Sequence, residues 1–438
     1  MICFFVFISL GCSKNEIIPA DDEGTISPGS QLLRGVTINM DSLIAIGLPV
    51  VIVNTVDGEE PTCVFVSAPE GAMGSSITDA TKVPCSLAIR NTEGVLYDSG
   101  PYVKNRSGAT IKIRGNTSAW YINGNGKMPY KIKLQKKEDL LFRGADDYFD
   151  KDWLLLKYDN LRSVAGFYVN DRLGMQWTPC FKHVNVVINN DYKGVYMVME
   201  SVKCNKNARI DVDEDGFIFE FDPYYWNEPL YVKSPYNLYP GMEYTFKYPD
   251  VDDVTSDDLD YFCKFIEEFE SSLQDGSYDN YIDVESFALW LLGHDILGSC
   301  DPAGSNIFIT KKNRLTYSKL KMGCLWDFDG IMGENGWSKE HTFGIFAYGL
   351  LLNSSNKQFI NTYLDKWNMF KDTLFANIRE FVDNYDEKEL IAIEKSLQLD
   401  ANRWGTHYEM PFESLLKLNN YFAVKEIFLT SSINSVFN

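Results

Sequence analysis

Apolar and polar residues alternate with a period of two through much of the first half of the chain, the spacing that points successive side chains to opposite faces of a strand. LPVVIVNT at 48–55 is a β-branched run and reads as a strand. Between 60 and 110, TCVFVSA and CSLAIRN are shorter strand candidates set among Gly-rich and polar turns. TIKIRGN at 110–116 and YKIKL at 130–134 alternate well and are joined by the Gly- and Asn-rich loop NTSAWYINGNGKMP. WLLLKY at 153–158 is a further apolar run. VNVVINNDYKGVYMVME at 184–200 predicts a hairpin, two apolar runs around Asn-Asn-Asp, and GFIFEFD at 216–222 predicts another strand.

Elsewhere the spacing is helical. Leu161, Val164, Ala165, Tyr168, Val169 and Leu173 form one stripe over 161–175. Leu259, Phe262, Cys263, Ile266, Phe269 and Leu273 form a second over 259–273, with Gly276 placed to end that helix. VESFALWLLGHDILG at 284–298 is apolar on all sides and predicts a buried helix. Beyond 355 the pattern stays helical to about 425, and no internal repeat is visible. Strands first, then a mixed middle, then helices is an α+β arrangement, a strand-rich amino-terminal lobe preceding a helical one.

The first twelve residues, MICFFVFISLGC, are apolar and end in Gly11-Cys12. They lack a basic n-region and are short for an export signal. Ser9-Leu10-Gly11-Cys12 nonetheless resembles a bacterial lipobox, so Cys12 is the expected lipidation site, on a start that is truncated or mis-assigned. The alternative is an ordinary hydrophobic N-terminus. The expectation is an exported lipoprotein anchored to the bacterial membrane and facing the surface or periplasm, with residues 13–31 as a polar linker. No later window approaches the ~20 apolar residues of a membrane span.

Composition adds bounds. The length of 438 residues allows roughly two to four domains, and 45% hydrophobic with 14% aromatic residues is enough for a large core. A net charge of −20 argues against general nucleic-acid or anionic-membrane binding. The charge is uneven: residues 250–283 hold twelve acids and one lysine, whereas 109–137 hold seven Lys or Arg and no acid. An acidic run is usually a solvated face, but a basic run without counter-charge invites an anion. The nine cysteines show no CxxC and no zinc spacing. Cys63 and Cys85 would suit a disulfide in an exported protein, or equally two buried thiols.

The candidate chemistry lies in two places. Lys131 and Lys133 alternate with Tyr130, Ile132 and Leu134, so both leave one face of a strand, and Arg114 lies in the same basic segment. The loop before them carries Gly115, Gly124 and Gly126, which let backbone amides approach a ligand, one way to hold nucleotide phosphates. Asp301 is followed five residues later by Asn306, the spacing by which kinases place a hydroxyl-aligning aspartate and a metal-binding asparagine. Asp327-Phe328-Asp329-Gly330 then supplies the metal carboxylates, and oxygen ligands suit Mg²⁺ or Mn²⁺ over zinc. Glu200, closing an apolar strand, is the expected partner of the lysine. Taken singly, each element is as readily a turn, a helix cap or a structural ion pair; their order along the chain gives them weight.

These residues resemble the CotH-type atypical kinases, named for spore-coat protein H, over roughly 48–405. The likeness rests on IKIRGNTSAW with KMPYKIKL, KDWLLLKYDNLRSVAG, INNDYKGVYMVME, SNIFI followed by LWDFDGIMG, and FINTYLDKW with the later NRW. The resemblance implies an atypical protein-kinase fold moving the γ-phosphoryl of ATP to protein Ser or Thr with Mg or Mn. It implies Asp301 as catalytic aspartate, Asn306, Asp327 and Asp329 as metal ligands, Lys131 or Lys133 on the basic strand, and Arg162 as the arginine of a Leu-Arg-Asn motif. Two positions depart: Ser163 stands where that motif usually has Asn, and DPAGSN lacks a frequent histidine. The expected division is a β-rich segment at 32–108 before a kinase-like domain at 109–438. Two rivals stand beside the kinase: an inactive surface adhesin using the aromatic segment 221–240, and a metal-dependent glycosyltransferase, since Asp-x-Asp also holds sugar nucleotides. The expected partner is a protein substrate, with membrane contact only through a lipid anchor. Substrate identity and oligomeric state are left open.

Overall fold

The computed structural model describes residues 36–72, 74–78, 80–119, 126–299, 306–328, 330–331 and 346–437. After a short helix α1 (Met40–Ile44), ten strands follow: β1 (Val50–Thr55), β2 (Val64–Ser67), β3 (Ser75–Thr78), β4 (Val83–Asn91), β5 (Gly94–Asp98), β6 (Ala109–Ile113), β7 (Tyr130–Glu138), β8 (Asp150–Lys157), β9 (Phe181–Ile188) and β10 (Asp191–Glu200). β2 and β3 form a separate hairpin. The others build a sheet in the order β1-β9-β10-β8-β7-β6-β4, and β4 pairs back onto β1, closing a barrel from which β5 hangs. Strict alternation explains the closure: Val83, Cys85, Leu87 and Ile89 of β4 all turn inward and leave the intervening residues outside. Val51, Ile111, Ile132, Trp153, Leu155 and Val198 complete the interior. Because β1 and β4 pair with strands on both sides of residue 108, that position is not a structural divide. Cys63 and Cys85 are free thiols.

The predicted hairpin is β9–β10. Asn189 and Asn190, at φ +51° and +64°, make its turn, which suits the tolerance of asparagine for left-handed backbone. The stripe at 161–175 is helix α2 (Arg162–Arg172), and its start also explains Ser163. The Asp159 carboxylate accepts from the Ser163 backbone N–H at 2.8 Å and from its hydroxyl at 2.5 Å, satisfying a donor of the first turn.

A second sheet runs in the order β12-β13-β11-β14-β15, made of β11 (Phe217–Asp222), β12 (Tyr231–Val232), β13 (Glu243–Tyr248), β14 (Ile307–Lys311) and β15 (Leu320–Met322). Helix α3 (Ser256–Asp275) covers one face, where Phe262 meets Phe219 at 5.0 Å and Phe246 at 4.8 Å. Thr255 and Asp258 form a capping box at its start, and Gly276 at φ +84° ends it. Helix α4 (Val284–Leu297) is buried from Phe287 onward, as its all-round apolar pattern requires. Among the described residues that follow, five helices are α5 (Tyr348–Asn353), α6 (Gln358–Phe370), α7 (Leu374–Asp383), α8 (Glu387–Trp404) and α9 (Pro411–Phe437). The result is mixed, a β-barrel followed by a second sheet and a helical end. Apart from the parallel β1–β9 pair the described sheets are antiparallel, unlike a doubly wound parallel sheet. Among the described residues no helix is long and apolar enough to cross a membrane.

Candidate active site

The basic segment becomes one outer face of the barrel. Lys112 pairs in register with Lys131, and Thr110 with Lys133, while Ile111, Ile113, Ile132 and Leu134 fill the interior. Lys112 sits half-buried, and desolvation with the neighbouring charges of Lys131, Lys82 and Arg114 draws its pKa below the usual lysine value. Crowding of like charge is unfavourable without a counter-ion and marks a place for an anion. Lys131 finds partial relief in Asp152 on β8, whose Oδ1 lies 3.1 Å away. Burial opposes the charge of Asp152, yet Lys131 and Lys203 hold its carboxyl down at about 2.

Facing Arg114 are acids from the second sheet. In β11, Phe219 and Phe221 point into the core under α3, so Glu220 and Asp222 leave the opposite face. Both are 2% exposed. Glu220 pairs with Lys247 of β13 at 2.6 Å, and Asp222 accepts from the Tyr224 N–H at 2.8 Å and the Thr245 hydroxyl at 3.3 Å. Burial pushes the Glu220 carboxyl up to about 8 against the pull of Lys247, and Asp222 and Glu228 push the same way. Arg114 is lowered by desolvation and raised by Asp327 and Glu220, so both acids act on it. Asn306 directly precedes Ile307, the first residue of β14, whose register partner is Phe221. Asp327 is exposed, with its backbone at φ +62°, and the following Phe328 is buried against Phe167 of α2 at 4.9 Å between ring centres. That packing aims the Asp327 turn, and Gly166 makes room for the ring.

Lys112 lies close to both Lys131 and Arg114, and Arg114 in turn feels Asp327 and Glu220; Lys133 is exposed one rung away from Lys131, and Asn306 comes just before β14. Arg162 opens α2, where it faces Asp159. Asp301, Asp329 and Cys12 lie outside the described residues. The pairing expected of Glu200 is corrected. Its carboxylate is fully buried and accepts from Arg143 Nη1 at 2.9 Å and the Cys180 N–H at 3.0 Å, with Arg209 Nε at 3.7 Å. A carboxylate that deep needs a charged donor with several N–H groups in fixed geometry, which a guanidinium supplies and a half-exposed lysine does not. Among the described residues, a buried glutamate that does pair with a lysine is Glu220, with Lys247. Its sequence signal was present but unread: in FIFEFD the alternation that buries the phenylalanines forces Glu220 and Asp222 onto one face.

As a metal site, the described donors Asn306, Asp222 and Asp327 are all oxygen, which fits a hard ion such as Mg²⁺ or Mn²⁺. Among the described residues no three His, Cys, Asp or Glu side chains converge on one point.

A family model described as "CotH kinase protein" matches residues 111–422. No curated protein matches the chain. Among solved structures, the chain is similar to the Helicobacter pylori proinflammatory kinase CtkA, at 9% identity and a TM-score of 0.26, over 66% of this chain and 94% of that one. So low a score supports no structural inference.

Proposed function

The chain belongs to the CotH kinase family, and from that premise we propose that it is an atypical protein kinase acting on Ser or Thr of an exported or surface protein. The observation that carries the reading is the crowded basic face of Lys112, Arg114 and Lys131 set against the buried acids Glu220 and Asp222 with Asp327. A nucleoside triphosphate accompanied by a divalent cation matches both faces in charge. In this reading the substrate hydroxyl oxygen forms a bond to the γ-phosphorus of ATP, the bond from that phosphorus to its bridging oxygen breaks, and ADP leaves. Asp301 aligns the hydroxyl and takes its proton. Lys131, Lys133 and Arg114 orient the phosphates. Asn306, Asp327 and Asp329 would hold the Mg or Mn ion, which supplies charge neutralisation.

Incubation of the full chain with γ-labelled ATP and Mn²⁺ or Mg²⁺, beside Asp301→Ala and Asp327→Ala, tests this. Label should appear on the wild type and fall on the order of 10³-fold or more in either variant. Near-normal labelling by Asp327→Ala would sink the assignment. A second reading, an inactive adhesin on the same frame, draws on Tyr231 and Tyr236, which stand 38% and 47% exposed in the aromatic segment. Absence of label together with absence of an ATP-induced thermal shift would favour it. Anchoring through a lipid on Cys12 belongs to the same proposal, and metabolic palmitate labelling that survives Cys12→Ser would refute that part.

A further inference from the structure

We propose that Ser76 is a positioning residue of this site: its hydroxyl ties the loop after Arg114 to the segment after Asp222, and so sets the gap that receives the phosphates of ATP. The inference deepens the kinase reading and rests on it. Ser76 belongs to β3, in the separate β2–β3 hairpin, which precedes residue 111, where the match to the family begins. Phe65 and Ile77, opposite each other in that hairpin, pack against the barrel interior and seat it there. Ser76 takes the other face and is 2% exposed. Its Oγ donates to Asn116 Oδ1 at 2.7 Å and accepts from Asn227 Nδ2 at 3.0 Å, while the same Nδ2 donates to the Ile77 carbonyl at 2.7 Å.

The two ends of this relay belong to the two sides of the site. Asn116 stands two residues beyond Arg114, in the loop that follows β6, and Asn227 stands one residue before Glu228, whose charge supports that of Lys112. The hairpin meets the acidic side a second time at Tyr224. A Cβ on Gly74 would lie 2.8 Å from that ring, and the Tyr224 N–H donates to Asp222 at 2.8 Å. Cations on one side and carboxylates on the other attract, and a charged spacer would compete with the ligand for one of them. A neutral hydroxyl between two amides competes for neither, and its hydrogen bonds fix distance and direction because they weaken steeply off axis. Of the small side chains, Ser and Thr alone both accept and donate strongly through one atom.

The test joins two measurements on the full chain: steady-state transfer from γ-labelled ATP with Mn²⁺, and hydrogen–deuterium exchange read by mass spectrometry. Ser76→Ala should raise the KM for ATP about three- to tenfold, with a smaller effect on kcat. It should also speed exchange at both 111–119 and 223–230, which flank different sheets. Ser76→Thr should recover part of the loss. Asn227→Leu cuts the relay from its other end and should raise KM by a similar factor, so misfolding of one variant leaves the other decisive. The double variant should be no worse than the worse single, as expected of one relay. An unchanged KM in the folded variants overturns the proposal, and so does faster exchange confined to the hairpin at 64–78, which would mean local stitching alone. If the wild type transfers no label, the kinase reading falls and takes the ATP role of Ser76 with it, an outcome that the exchange measurement separates from failure of the relay.

Discussion

Removing the Asp400 carboxylate should be among the most damaging single changes in this chain. Lys127, from the loop before β7, reaches across to α8 and pairs with Asp400 at 2.5 Å, and both groups are buried. The same carboxylate accepts from the Val195 N–H at 2.7 Å and the Tyr408 hydroxyl at 2.8 Å, while Lys127 also donates to the Val195 carbonyl at 2.9 Å. Asp400→Ala thus removes the counter-charge of a buried ammonium and the acceptor of a backbone N–H and a phenol at once. Breaking one side of a buried pair costs about 3–5 kcal/mol. With an unfolding entropy of about 2 cal/mol/K per residue, a chain of this length should lose about 3–6 °C of Tm. Lys127→Met should cost less, because Asp400 keeps two donors. The double variant should cost at least about 1 kcal/mol less than the sum of the singles. Burial depresses the Lys127 pKa, with Asp400 opposing. Without Asp400 the lysine is driven neutral in the fold but stays protonated in the unfolded chain. The unfolded state then binds more protons, so the deficit should shrink as pH rises from 7 toward 10. Guanidinium unfolding followed by Trp fluorescence reads all of this. A loss below about 1 kcal/mol for Asp400→Ala, or strict additivity in the double variant, would refute the argument.

Two further outcomes follow from other buried groups. Gly166→Ala places a methyl group into the Phe328 ring, so it should cost about 1–3 kcal/mol and also lower phosphoryl transfer by shifting the Asp327 turn; full activity at a temperature where the variant is folded would contradict that coupling. Burial holds the His294 imidazole down at about 3, against the pull of Asp295. The folded state resists the proton that the unfolded chain accepts below its ordinary value, so stability present at neutral pH should be lost as pH falls from 6.5 toward 3. Between pH 7 and 5 wild type should lose about 2 kcal/mol more than His294→Gln in urea unfolding, and parallel losses would remove the residue from the explanation.

Much of the fold was legible along the chain because it is local. Period-two alternation fixed which residues of β4, β6, β7 and β11 share a face, and Asn189-Asn190 fixed the hairpin turn. Gly276, left-handed in the fold, marked the end of α3. The return of β4 onto β1 and the parallel pairing of β1 with β9 were not legible, since pairing choice depends on strands far apart in sequence.

The site divides the same way. Alternation and backbone sterics let the sequence by itself determine that Lys131 and Lys133 leave one face of a strand. The motifs also identified the family. Which charge meets which was decided only by tertiary structure: Glu200 took Arg143, Lys131 took Asp152, Lys247 took Glu220, and Lys127 found Asp400 273 residues away. Periodicity orients a side chain relative to its own element and says nothing of the element packed against it. In a low-dielectric interface, however, the partner across the gap sets whether a buried charge is tolerated at all.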